Sequence, residues 1–137
     1  MWIPSNTADS NSPTMIFCNP NAAYYEYLYY QIEWIRYYTS SGINVFLWNY
    51  RGYGRSVGSL SVGGLKADTS AIFNYIKTKR QSQRIGVHGE SLGGAVATYM
   101  ARHHEVCFLF ADRTFATLGD AAYHMIGRAG RFLLHLV

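Results

Sequence analysis

Four short apolar runs, separated by stretches with helical spacing, divide this chain. They are Thr14-Met-Ile-Phe-Cys18, Ile43-Asn-Val-Phe-Leu-Trp48, Arg84-Ile-Gly-Val-His88 and Val106-Cys-Phe-Leu-Phe-Ala111. Continuous runs of this length, without polar alternation, read as strands buried on both faces. Between the first two runs, Tyr24, Leu28, Ile32, Ile35 and Thr39 trace one face of a helix over residues 24–39. Ser41-Gly42 ends it, with glycine in the C′ position. A second helix is predicted over residues 65–79, with Leu65, Thr69, Ile72 and Ile76 on one face, and a third after Ser91, running to about His103. A last helical pattern covers residues 118–126. Residues 1–13 are polar and punctuated by proline, so they read as loop, as does the Gly- and Ser-rich stretch 49–64. Strands alternating with helices imply right-handed crossovers and a mainly parallel sheet covered by helices on both faces, a three-layer α/β architecture. Residues 1–137 read as one domain, with no internal repeat or linker.

Composition narrows the picture further. With 49% hydrophobic residues the chain has enough apolar material for a core. It contains no apolar run of the length that crosses a membrane. The opening Met1-Trp-Ile-Pro-Ser-Asn lacks the basic and apolar regions of a secretory signal. Cys18 and Cys107 lie inside apolar runs without metal-ligand spacing, so both are expected to be buried free thiols in a reducing, cytoplasmic compartment. The formal net charge is +4, but its basic residues are scattered singly. That argues against a nucleic-acid partner and leaves room for peripheral contact with anionic membranes. The seven tyrosines from Tyr24 to Tyr38 fall mostly off the apolar face and read as half-buried surface.

The chemistry is concentrated in Gly89-Glu90-Ser91-Leu92-Gly93, a G-x-S-x-G pattern directly after the third apolar run. The small residues Gly94-Ala-Val-Ala97 that follow can begin a helix. Strand, tight turn and helix are the setting that lifts a serine hydroxyl above the sheet as a nucleophile. The crowded turn demands Gly89 and Gly93, and the helix N-terminus favours negative charge beside Ser91.

Three segments in order then resemble the α/β-hydrolases, in the branch holding monoacylglycerol-lipase-like, serine-aminopeptidase-like and protein-depalmitoylase-like enzymes. Asn19-Pro20-Asn21-Ala22 resembles the His-Gly-Asn-Ala loop of that branch. Asn49-Tyr-Arg-Gly-Tyr-Gly-Arg-Ser56, with Gly64-Leu65 and Asp68, resembles its Tyr-Arg-Gly-Tyr-Gly-x-Ser…Gly-Leu-x-x-Asp segment. Gly89 to Gly94 resembles its Gly-x-Ser-x-Gly-Gly turn. The resemblance implies a partial α/β-hydrolase fold, with the Ile43, Thr14, Arg84 and Val106 strands side by side and the Ile43 and Val106 strands left as edges. It implies acyl transfer through Ser91 on a small-molecule or lipid ester or an acylated protein, with no cofactor. The oxyanion would be held by the backbone N–H groups of Leu92 and Asn21. Pro20 has no N–H to offer. By strand count, the family's usual acid and histidine positions, and its first two strands, fall outside this chain. The alternative reading is therefore a catalytically inactive hydrolase-fold protein with a binding or scaffold role.

Other residues of the chain offer themselves for the missing roles. Asp112, at the carboxyl end of the strand beside the nucleophile strand, is the best acid within the chain. Its alternative is an ordinary loop carboxylate paired with Arg113. His88 is expected in the core. His103 and His104 lie about 18 Å from Ser91 at 1.5 Å per helical residue, too far to act as its base. His124 and His135 have the right chain order, but nothing in the sequence fixes their direction. Asp68 reads as structural. No phosphate-loop or dinucleotide fingerprint and no zinc spacing is present, so neither cofactor nor metal is expected.

Overall fold

The computed structural model describes residues 1–7, 11–27 and 31–117. Along these the elements are β1 (Trp2–Ile3), β2 (Thr14–Cys18), α1 (Ile32–Ser40), β3 (Asn44–Leu47), α2 (Val62–Thr78), β4 (Ile85–Glu90), α3 (Leu92–His103) and β5 (Phe108–Asp112). The helical pattern at 118–126 lies outside the described residues, as do His124 and His135.

The five strands form one sheet in the order β1-β3-β2-β4-β5. β2 pairs in parallel with β3 and with β4, and β4 in parallel with β5. The four apolar runs therefore lie side by side as the resemblance implied. One expectation fails at the opening of the chain. Trp2 and Ile3 are not loop: they pair antiparallel with Phe46 and Val45, so β3 has a neighbour on both sides and is not an edge.

Crossover handedness decides which face each helix covers. The chain moves one way across the sheet from β2 to β3 and the other way from β3 to β4 and from β4 to β5. Right-handed connections then put α1 on one face and α2 and α3 on the other. Side-chain alternation along the strands agrees. Met15 and Phe17 pack with Val45 and Leu47 against Ile35 and Tyr38 of α1. Ile16 and Cys18 pack with Phe46, Ile85 and Val87 against Phe73 and Ile76 of α2 and Val96, Ala97 and Met100 of α3. Burial in this second cluster pushes the Cys18 thiol up to about 12, so it stays protonated.

Four further expectations are corrected. Cys107 is exposed, not buried, because it lies just before β5, whose Phe108 and Leu109 are 53% and 40% exposed. α1 starts at Ile32, not Tyr24. The segment at Tyr24–Tyr27 is instead drawn onto the loop after β3: Tyr25 N–H donates to Asn49 Oδ1 at 2.8 Å, and Asn49 Nδ2 donates to Glu26 Oε2 at 2.6 Å. The tyrosines divide, with Tyr24, Tyr27 and Tyr37 exposed while Tyr38 is buried in the core. α2 begins three residues earlier than its apolar face suggests. Ser61 supplies the cap, its Oγ accepting from Gly64 N–H at 3.1 Å.

Candidate active site

Ser91 sits between β4 and α3 with φ 53° and ψ −116°. A positive φ at a non-glycine residue costs free energy, and this ψ is far from the left-handed helical well. Neighbouring groups hold Ser91 there. Its N–H donates to the Asp112 carbonyl at 3.0 Å, and its carbonyl accepts from Gly94 N–H at 3.0 Å and from Thr114 Oγ1 at 2.7 Å. Space is as tight as the sequence implied. A Cβ on Gly89 would collide with the Gly93 carbonyl, and one on Gly93 would collide with the Cys18 carbonyl. The second collision shows that the end of β2 and the loop after it lie against the first turn of α3. The loop carrying Asn21 and the turn carrying Ser91 are therefore neighbours. Leu92 N–H, in the first turn of α3, has no carbonyl one turn earlier to bond.

The loop after β2 is pinned by its first residue. Asn19 is fully buried; its Nδ2 donates to the Trp48 carbonyl at 2.7 Å and its Oδ1 accepts from Gln31 Nε2 at 2.8 Å. Tyr50 Oη donates to the Asn19 carbonyl at 2.7 Å. Asn21 itself is exposed, and its Oδ1 accepts from Tyr53 Oη at 2.7 Å. The segment after β3 is braced in turn by Arg51, whose Nε and Nη2 donate to the two Asp68 oxygens at 2.8 and 2.6 Å. That fork holds the Asp68 carboxyl below its ordinary range. Asp68 is thus half of an ion pair that ties α2 to the loop.

Among the described residues, none of the remaining candidate side chains hydrogen-bonds Ser91. Asp112 touches Ser91 through its backbone carbonyl, while its carboxylate accepts from Arg113, 3.1 Å away. The same guanidinium reaches Glu90 at 2.8 Å. His88 is fully buried on the α1 face, with Nδ1 3.1 Å from the Tyr38 hydroxyl. Phe17, Trp34 and Phe110 ring it at 4.5, 4.6 and 4.6 Å between centroids. Burial lowers the His88 imidazole to about 4, against a weaker opposite pull from Asp112. His103 closes α3 at the end away from Ser91, and His104 stacks on Phe73 at 4.5 Å. Among the described residues no histidine hydrogen-bonds Ser91, and no cluster of acidic, cysteine or histidine residues could hold a metal ion. Sequence reasoning missed Thr114, Tyr50 and Tyr53. Thr114 stands in the Asp-Arg-Thr-Phe stretch that ends the Val106 run, and both tyrosines lie inside a motif, but the sequence alone assigns none of these side chains a partner.

Comparison with known proteins bears on the fold and the family. The family described as serine aminopeptidase, S33, matches residues 25–110. The uncharacterized membrane protein YNL320W of Saccharomyces cerevisiae is 32% identical over 130 residues, covering 92% of this chain and 45% of its own length. The lysophosphatidylserine lipase ABHD12 of Rattus norvegicus is 32% identical over 102 residues, 74% of this chain and 25% of that enzyme. The solved structure of the Pyrococcus furiosus esterase Pf2001 superimposes with a TM-score of 0.74 at 22% identity, over 100% of this chain and 60% of the esterase. The chain thus spans less than half the length of either curated relative. Fold, strand order and family match together place this chain in the α/β-hydrolase superfamily, within the serine aminopeptidase S33 family.

Proposed function

We propose that this chain carries the nucleophile and oxyanion half of a serine hydrolase that cleaves esters or thioesters. The observation that supports it is the backbone of Ser91, held at φ 53° by its neighbours at the junction of β4 and α3. Strain of this kind persists only where the surroundings over-determine it, and it gathers at sites of chemistry.

In the proposed reaction Ser91 Oγ attacks the acyl carbonyl while its proton passes to a base. Charge develops on the carbonyl oxygen, and the N–H groups of Leu92 and Asn21 donate to it. The tetrahedral species collapses, the alcohol or thiol leaves with the proton, and water then releases the acid by the same route. The base is assigned to a residue outside those described, since His88 is buried against Tyr38 and His103 and His104 lie at the far end of α3. The name of the lysophosphatidylserine lipase relative favours lipid esters, and acylated proteins are the next class. One domain, no cofactor and no nucleic-acid partner complete the reading. No helix among the described residues is long and apolar enough to cross a membrane, and contact with a membrane surface is proposed only as the way a lipid ester would be met.

A fluorophosphonate probe tests this directly. Labelling of the purified chain that disappears in Ser91→Ala, with an unchanged denaturation midpoint, is expected. An unlabelled parent would instead support the inactive, scaffold-like alternative.

A further inference from the structure

Two tyrosines of the segment after β3 reach across to the loop after β2, and their hydroxyls land on either side of Pro20. Tyr50 Oη donates to the Asn19 carbonyl and Tyr53 Oη donates to Asn21 Oδ1, each at 2.7 Å. Their rings meet edge to face, 5.5 Å apart between centroids, so each steadies the other. Between the two anchored residues lies the Pro20–Asn21 peptide. Its carbonyl accepts from Ala23 N–H at 3.3 Å. Across a trans peptide the N–H points opposite to the carbonyl, so this turn also aims the Asn21 N–H outward from the loop. Proline fixes φ at residue 20, and Ala22 is held at φ 60°. The direction of the Asn21 N–H then depends on the one peptide plane that the two hydroxyls bracket.

We propose that Tyr50 and Tyr53 are positioning residues that set the direction of the Asn21 N–H toward the acyl oxygen at Ser91. This rests on the serine hydrolase reading above. Tyr50 works from the buried side, where its ring packs at 5.0 Å from Trp48 and its hydroxyl stays protonated because burial raises its pKa well above the ordinary value. Tyr53 works from the accessible side. Its bond to Asn21 is exposed to water and adds little to the stability of the fold. What it changes is where an N–H points, and an oxyanion donor acts only at the correct distance and angle.

The test uses the saturable reaction of the full chain with a fluorophosphonate, giving a maximal rate kinact and a half-saturating concentration KI. Tyr53→Phe removes one hydroxyl and is expected to lower kinact about five- to tenfold, the scale of one hydrogen bond, with KI and the melting temperature unchanged. Asn21→Ala removes the acceptor while keeping the backbone N–H, and is expected to lower kinact by a similar factor. If both act through one bond, the double variant reacts no more slowly than the slower single one. Equal kinact for parent and Tyr53→Phe, or single effects that multiply in the double variant, would overturn the clamp and leave the serine reading intact. A parent that does not react removes the serine reading and the clamp with it. Tyr50→Phe serves as a second variant. It leaves the buried Asn19 carbonyl without that donor, so a fall in kinact counts only if its far-ultraviolet spectrum and melting cooperativity match the parent.

Discussion

The carbonyl oxygen of Cys18 fills the place that a side chain on Gly93 would need. One atom of β2 therefore dictates the residue type in the first turn of α3, and the contact holds the loop after β2 against the turn that carries Ser91.

This contact makes Gly93→Ala costly even though alanine favours helix. A methyl group there must displace backbone on both elements, so a loss of about 3 kcal/mol is expected, the upper part of the overpacking range. Gly63 offers the control: it lies in the first turn of α2, and a Cβ there meets nothing within 4 Å. Gly63→Ala is expected to be neutral or to stabilise by about 0.5 kcal/mol through helix propensity. Urea midpoints of the two variants that coincide would show that the crossing is not as close as described.

Ser91 pays for its conformation, and glycine would not. Ser91→Gly is expected to raise stability by about 1 kcal/mol, since glycine adopts a positive φ freely and gives back part of the gain as backbone entropy. Ser91→Ala keeps the Cβ and hence the strain, so it is expected to match the parent. Calorimetry on the three proteins checks the order. A Ser91→Gly variant no more stable than Ser91→Ala would mean that the turn stores no strain at this residue.

The strands were legible because Thr14–Cys18, Val45–Trp48 and Ile85–His88 are apolar at successive positions, and only burial on both faces asks for that. Residues 1–13 misled because a strand of two residues, Trp2–Ile3, is too short to carry a period and is fixed by pairing with β3. The α1 boundary failed because Tyr24 does keep helical spacing. Spacing cannot see that Glu26 bonds to Asn49, 23 residues away, and that tertiary contacts override a local preference. Cys107 was misjudged for a related reason: an apolar run shows that a strand exists, not whether a neighbour covers it. At the candidate site, Gly89 and Gly93 were readable because crowding restricts residue type. Thr114 and Tyr53 were not, because each acts through a single hydrogen bond that only the folded arrangement creates.

Acid should weaken the fold before its carboxylates titrate. Burial holds the His88 imidazole down at about 4, against an ordinary value of 6.5. Above 6.5 it is neutral in both folded and unfolded chains, and pH has no leverage on it. Between 6.5 and 4 the unfolded chain takes up a proton that the folded chain refuses, so stability falls as the pH drops. His104, also lowered by burial, acts in the same direction. Glu26 and Asp68 have lowered carboxyl values, so their contributions are present above their ordinary 4.5 and 3.8 and are lost only below them. From pH 7 to pH 5 the loss is expected to reach about 2 kcal/mol, mostly through His88. His88→Phe suits the aromatic ring around that position and is expected to flatten the slope. Urea unfolding of parent and variant at both pH values measures it, and parallel slopes would remove His88 as the cause.

The last expectation concerns β5, which among the described residues has a partner on one side only. Among the described residues nothing pairs with its other side, and its Phe108 and Leu109 are 53% and 40% exposed. An apolar edge without a lysine or proline in the strand is a template for pairing with another chain. On the α1 face, Phe108 and Phe110 also border an open groove of about 690 Å³ with Trp34, Tyr37 and Ile43. The chain is expected to self-associate at tens of micromolar. Replacing Phe108 and Leu109 together by lysine should return it to monomer without unfolding it, because both side chains already meet water and the ladder to β4 uses only backbone. Light scattering coupled to size exclusion separates the outcomes. A parent already monomeric at that concentration would show that the edge is covered, whereas a lysine variant that still associates would move the interface elsewhere.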